Sequence, residues 1–268
     1  MPKKKNTGTK IVEPVLHIYC EGEKTEPIYI NGYINHYHSE HRNILVVEDT
    51  NKNTPVQLVE IAIKAKESNP DNDIFWVVFD RESVVKYPHD LHLNAKQKAE
   101  SNGIEIAISN VCFEYWLLLH LKCTTAGYQN YDDLIKNSEL KKLLKNEGLK
   151  QDYDKADTQI FDLLKNNIST AIINAEKVKN NAISTAEAGK ESPCYYNAYI
   201  DFHELLIDMK IFIEKKQYSE LLNSREDAKN PDERKINIED NNKSIRKLNP
   251  SERKKKIQNM IKTMSNEF

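Results

Sequence analysis

The sequence predicts an α/β protein: a parallel sheet flanked by helices, with a C-terminal helical region and a charged tail. Short apolar runs alternate with amphipathic stretches through residue 122, the pattern of strand–helix–strand units joined by right-handed crossovers. The run Ile74-Phe75-Trp76-Val77-Val78-Phe79 is apolar at every position, as a strand covered on both faces is. After Cys123 the strand signal stops and helical periodicity takes over. The 268 residues accordingly divide into an α/β domain over 11–122, a helical region over 123–216 packed on it, and a tail or partner-binding segment over 217–268.

The elements follow in order. Val15 to Cys20 reads as a first strand, and Pro27 to Tyr37 as a helix with proline in its first turn. Ile44 to Val47 is a second strand. A helix runs from Pro55, with Val56, Val59, Ala62 and Ile63 at helical spacing, to Ser68-Asn69-Pro70. The third strand is the 74–79 run. Leu91 to Ser101 is a helix stopped by Asn102-Gly103, Ile104 to Ile108 a fourth strand, and Phe113 to Leu121 a buried helix. Beyond it, 134–144, 158–165, 168–183 and 198–213 read as helices, the third with Ile168, Ala171, Ile172, Ala175 and Val178 on one stripe. From about Ser224 the chain is rich in Lys, Asp, Glu and Asn, with a basic helix expected over 251–264.

Composition excludes several functions. Mean hydropathy is -0.70, and no apolar stretch approaches the ~18 to 20 residues of a membrane span. The basic start Met1-Pro2-Lys3-Lys4-Lys5 has no apolar run behind it, so no secretory signal is expected and the chain should be cytoplasmic. Four cysteines, at 20, 112, 123 and 194, form no CxxC pair, which fits reduced thiols rather than disulfides or a zinc knuckle. The seven glycines never cluster, so no phosphate-cradling glycine loop can be written, and any nucleotide hydrolysis must come from another chain. The net charge of -2 conceals +4 on residues 1–10 and +7 on residues 243–262, leaving -12 on residues 11–242. An acidic body cannot hold a phosphate backbone by bulk electrostatics; nucleic acid would need metal ions, a local basic groove, the basic ends or a partner.

Ligands of open α/β sheets bind outside the carboxyl ends of the strands. Those ends carry acids here: Cys20-Glu21-Gly22-Glu23-Lys24-Thr25-Glu26 after the first strand, Asp80-Arg81-Glu82 after the third, and Ser109-Asn110-Val111-Cys112-Phe113-Glu114 after the fourth. If the third strand continues through residue 82, Asp80 and Glu82 share a side. Joined by Glu21, they make an oxygen-ligand site suited to Mg²⁺ or Mn²⁺; the plainer reading is polar loops. Lys24 stands at a helix start, where an exposed lysine is the plain reading. Thr25 and Glu26 could be capping residues. Glu114, at the start of a buried helix, is either a ligand or a complement to the helix dipole, with Asn110 as a group that could orient it. His36, His38 and His41 read as solvated surface, as do His89 and His92. His120, about 240° around the helix from Glu114, reads as a core or interface histidine.

The strand ending in Glu21-Gly22 and the later strand ending in an acid-x-acid pair resemble the Toprim domain of topoisomerases, primases and the overcoming-lysogenization-defect nucleases. More closely, Cys20 to Glu26, Val78 to Glu82, Ser109 to His120 and Tyr153-Asp154-Lys155 resemble the RloB family, Toprim-like proteins found beside restriction loci and with an ATPase partner, RloA, in bacterial defence. The resemblance covers roughly residues 13–212. It implies a Mg²⁺-dependent (or Mn²⁺-dependent) Toprim-type endonuclease acting on DNA or RNA as a defence effector with an RloA-like ATPase. Glu21 would be the general acid or base and Asp80 the first residue of the metal pair; Glu82 stands where Toprim domains usually have Asp. The catalytic set implied is Glu21, Lys24 and Glu114, with Glu21, Asp80 and Glu82 as metal ligands. The alternative is a non-catalytic Toprim-like binding or regulatory subunit.

Overall fold

The computed structural model describes residues 13–51, 54–69 and 72–224, with positions 252, 255–256 and 258–259. The basic first ten residues and most of the 217–268 segment, including most of the expected basic helix, lie outside the described residues. The sheet has five strands in the order β2-β1-β3-β4-β5: β1 (Leu16–Cys20), β2 (Leu45–Glu48), β3 (Ile74–Asp80), β4 (Glu105–Asn110) and β5 (Tyr199–Ile200). The first four are mutually parallel, and β5 runs antiparallel to β4 through Ser109↔Ile200 and Asn110↔Tyr199. This mostly parallel sheet flanked by helices is compatible with a Toprim-like fold.

The apolar run of β3 follows from its central place. Phe75, Val77 and Phe79 pack with Leu58 and Val59 of α2 (Pro55–Ser68) and with Ala95 and Ala99 of α3 (His89–Asn102). Trp76 and Val78 face the opposite layer, with Tyr29 and Ile30 of α1 (Thr25–Tyr37) and Trp116 of α4 (Glu114–Leu121). Each such side chain contributes roughly 1.5–3 kcal/mol on burial. The same alternation aims Asp80, two residues past Val78, at the α1–α4 layer. Local signals set the helix ends. Thr54 caps α2, accepting from the Gln57 N–H at 3.4 Å with Pro55 behind it. Gly103 ends α3 in the left-handed conformation at φ 63°.

Two readings of the second half change. The stretch 134–144 is two helices, α5 (Tyr131–Asn137) and α6 (Leu140–Asn146). Ser138 divides them, extended at φ -86°, ψ 168°, its hydroxyl accepting from the Leu140 N–H at 3.2 Å, the local competition that Ser offers a helix. The stretch 198–213 opens as β5, and the helix, α9, spans Phe202–Ser224. The strand signal therefore does not stop at Cys123. Helices α7 (Ile160–Leu164) and α8 (Ile168–Ser184) fall where periodicity put them, and the α8 stripe from Ile168 to Val178 is buried. Cys20, Cys112, Cys123 and Cys194 are free thiols. No helix among the described residues is long and apolar enough to cross a membrane.

Candidate active site

The carboxyl ends of β1, β3 and β4 lie side by side, since Cys20 pairs with Val78 and Asp80 with Ser109. Four buried or half-buried carboxylates converge there from separate segments: Glu21 after β1, Glu26 in the first turn of α1, Asp80 at the end of β3 and Glu114 in the first turn of α4.

Glu21 Oε2 accepts the Asp80 backbone N–H at 3.1 Å, and the Tyr87 hydroxyl is a second donor to this carboxylate. Burial still dominates and pushes its carboxyl up to about 7, with help from Glu26 and Glu82. Glu26 is likewise raised to about 7, first by burial and then by the Glu114 and Glu82 charges. Its carboxylate lies directly against Gly22, where a Cβ would stand 2.5 Å from Oε2 and displace it. Asp80 is pushed well above the usual carboxylate range by burial, and then by Glu26, Glu114 and Glu21. Glu114 is fully buried. Its Oε1 accepts from the Tyr153 hydroxyl at 2.9 Å, with Lys155 Nζ at 3.9 Å, while Oε2 is buried without a hydrogen-bond partner. Glu114 occupies the helix start that favours an acid, and it also belongs to the cluster.

Glu82 departs from expectation. Strand β3 ends at Asp80, and Glu82 sits at φ 56°, a left-handed conformation uncommon for a side-chain-bearing residue. Asp80 and Glu82 therefore do not share a strand face. Glu82 stays close enough for its charge to act on Glu21 and Glu26, and Lys86 Nζ lies 2.6 Å from its Oε1. Lys24 is exposed at the N-cap of α1 and makes no ion pair with the cluster among the described residues. Lys155 is the cation that does: the charges of Glu114, Asp80 and Glu26 act on it, and its Nζ lies 4.1 Å from the centroid of the Tyr131 ring. Thr25 does not cap; its hydroxyl donates to the Lys155 carbonyl at 3.1 Å and ties α1 to that loop.

Sequence reasoning missed a second group, built on Arg81. This guanidinium is buried and donates to the carbonyls of Cys194 at 2.8 Å, Tyr87 at 3.0 Å and Glu82 at 3.2 Å, with His89 Nδ1 at 3.2 Å. His92 is buried, not solvated: its Nε2 donates to the Arg81 carbonyl at 2.9 Å, and burial lowers its pKa to about 4. His89 is half-buried against the same guanidinium. Arg81 thus fixes the turn that carries Glu82 and Tyr87. Asn110 does not orient Glu114, because its side-chain amide donates to the Tyr196 carbonyl. His120 is a core residue, held by the Tyr29 hydroxyl at 2.8 Å and the Trp116 carbonyl at 2.9 Å. A cleft of about 790 Å³ opens on the Glu82 side of the cluster.

Hard oxygen donors dominate this site, and the orphaned Glu114 Oε2 is a group in want of a cation. Among the described residues no group of three or more His, Cys, Asp or Glu side chains is drawn together closely enough to hold a metal ion as it stands. The carboxylates repel one another and, among the described residues, share the half-buried cation Lys155, so the fit to a divalent ion is one of donor chemistry and converging charge.

No curated protein and no solved structure matches the chain. A family model described as RloB-like protein matches residues 16–209, spanning all five strands and the whole carboxylate cluster. The chain belongs to the RloB-like protein family.

Proposed function

We propose that the chain is a phosphodiester hydrolase of nucleic acid, DNA or RNA, dependent on Mg²⁺ or Mn²⁺ and acting in the cytoplasm as a phage-defence effector with an RloA-like ATPase. The observation that carries the chemistry is the convergence of Glu21, Glu26, Asp80 and Glu114 at the carboxyl ends of three parallel strands, with a buried carboxylate oxygen left unpartnered. The defence role and the ATPase rest on the family resemblance. Asp80, Glu82 and Glu21 would hold the cation, which when bound supplies charge to offset the phosphoryl oxygens and helps ionise water.

The chain's own residues have definable tasks. Glu21 would take a proton from water and return it to the leaving oxygen; in the cation-free chain its carboxyl is raised to about 7. The Asp80 N–H and the Tyr87 hydroxyl hold that carboxylate in place. Tyr153 and Lys155 hold Glu114. Lys155, rather than the exposed Lys24, stands where a positive charge could meet phosphate.

The second reading is a non-catalytic Toprim-like binding or regulatory subunit. It is favoured by Glu82, which leaves the strand at φ 56° and is engaged by Lys86. The test is cleavage of single- and double-stranded oligonucleotides by Glu21→Gln, Asp80→Asn and Glu82→Gln chains with Mg²⁺ or Mn²⁺, with circular dichroism confirming the fold. Loss of a wild-type activity by at least ~100-fold in each supports hydrolysis here. Equal cleavage by all three removes the site, and no cleavage by wild type with the ATPase present favours the binding subunit.

A further inference from the structure

The cleft of about 790 Å³ beside Glu82 contains none of the cluster's buried acids, and the hydrolysis reading leaves it without a task. Its volume is within the range of roughly 300–1,000 Å³ of pockets that enclose small organic ligands. Three half-buried tyrosines, Tyr128, Tyr195 and Tyr196, line it. Their rings are braced. Tyr195 lies on His89 with centroids 4.5 Å apart, Tyr196 on Tyr199 at 5.4 Å, and Tyr128 meets Tyr115 edge-on at 6.2 Å. The Tyr196 hydroxyl is further fixed by donation to the Glu191 carbonyl at 2.7 Å. Gln129 and Asn197 bring amide groups to the same walls. The walls touch at Gly127, where a Cβ would stand 2.7 Å from the Asn197 carbonyl oxygen; the close approach needs glycine.

At the edge stand Val84 and Val85, 54% and 96% exposed, on the turn that carries Glu82. Large apolar side chains held in water beside a recess lined by aromatic rings fit a flat apolar partner. Phosphate is a poor candidate for the recess itself. The lining includes the acid Glu82, and its cation, Arg81, is buried and already bonded to three carbonyls and His89.

We infer that this cleft is a nucleobase site, taking one or two unpaired bases next to the phosphodiester cut at the carboxylate cluster, so that the substrate class is single-stranded or unpaired nucleic acid. This rests on the hydrolysis reading for the identity of the neighbouring chemistry. Base faces stack on the braced tyrosines, the amides of Gln129 and Asn197 meet base edges, and Val84 with Val85 cover the face left by a base that has lost its neighbour. A base still in its duplex stack cannot enter a walled recess. Stacking supplies affinity that residues 11–242, at a net charge of -12, cannot draw from phosphates, so binding at this cleft should respond weakly to salt.

The test uses the full chain in EDTA, which prevents cleavage, and oligonucleotides carrying the fluorescent base 2-aminopurine, in DNA and RNA versions. Wild type should quench the probe in a single strand and leave it unchanged in the centre of a duplex. Tyr195→Ala should weaken single-strand binding about 5- to 150-fold, the range for one lost base–aromatic stack, with Tyr195→Phe close to wild type. Val85→Ser, at a solvent-exposed position that does not threaten folding, should weaken it a few-fold. Equal binding of duplex and single strand overturns the inference, as does unchanged quenching in both Tyr195→Ala and Val85→Ser. Cleavage with Mn²⁺ is scored separately. Quenching as expected without cleavage by wild type, even with the ATPase added, refutes hydrolysis and leaves the base site standing; cleavage without quenching does the reverse.

Discussion

Replacing Glu26 by Gln should stabilise the cation-free protein at pH 8 and leave it nearly unchanged at pH 4. Glu26 is 6% exposed, and its carboxyl is raised from 4.5 to about 7 by burial and by the Glu114 and Glu82 charges. Below pH 4.5 the folded and unfolded chains both hold this proton and nothing is lost. Between 4.5 and 7 the unfolded chain releases it while the folded chain keeps it, so stability falls as pH rises; above 7 the full cost is in place. At about 1.4 kcal/mol per pH unit the ceiling is roughly 3 kcal/mol. Lys155 opposes the repulsion, so a gain of about 1 to 3 kcal/mol is expected for the neutral isostere, or about 3 to 10 °C in Tm for a chain of this size. Thermal unfolding by circular dichroism in EDTA at both pH values is the assay. Mg²⁺ should narrow the difference at pH 8 by stabilising wild type more than the variant. A Tm for Glu26→Gln at or below wild type at pH 8, or an equal gain at both pH values, would refute the electrostatic account of the cluster.

Gly22→Ala should lower cleavage at least ~10-fold while leaving the fold, because the new methyl takes the place of the Glu26 carboxylate; cleavage within twofold of wild type would show that Glu26 can move freely. Lys155→Met should reduce cleavage roughly 10- to 100-fold, and Lys24→Met by less than about threefold, from the cluster contacts of the first and the exposure of the second; the opposite order of initial rates would restore the role first expected of Lys24. Cleavage by the isolated chain should be feeble and rise when an RloA-like ATPase is added at fixed Mg²⁺, with strong activity alone and no response to the partner as the contrary result.

Much of this arrangement was legible before any coordinates. An unbroken apolar run marked β3 as a strand covered on both faces, and asking what stands behind such a strand picked out Asp80. Glu21 was found by standing at the next strand end. Glu82 was placed wrongly relative to Asp80 because nothing in Asp-Arg-Glu marks a left-handed turn at a residue other than glycine. Glu26 was read as a cap since an acid in a first helical turn usually serves the helix alone; its closeness to Gly22 depends on how α1 packs. Lys155 stood in a quoted motif but lacked a role, because its contact with Glu114 is made by tertiary folding. His92 looked like one more polar residue in a charged helix, and only the packing of α3 against Phe79 and Arg81 buries it. Strand β5, two residues long, is too short to carry a period.

On the proposed function the carboxylate cluster binds a divalent cation and phosphodiester hydrolysis depends on it. Anomalous diffraction from a crystal soaked in Mn²⁺, paired with the cleavage rate of the same preparation, tests it most directly. The expected result is a manganese peak at the carboxyl ends of β1 and β3, within reach of Asp80, Glu82 and Glu21, lost together with cleavage in Asp80→Asn. A cleaving preparation with no peak there, or an Asp80→Asn chain that loses the peak and still cleaves, would contradict it.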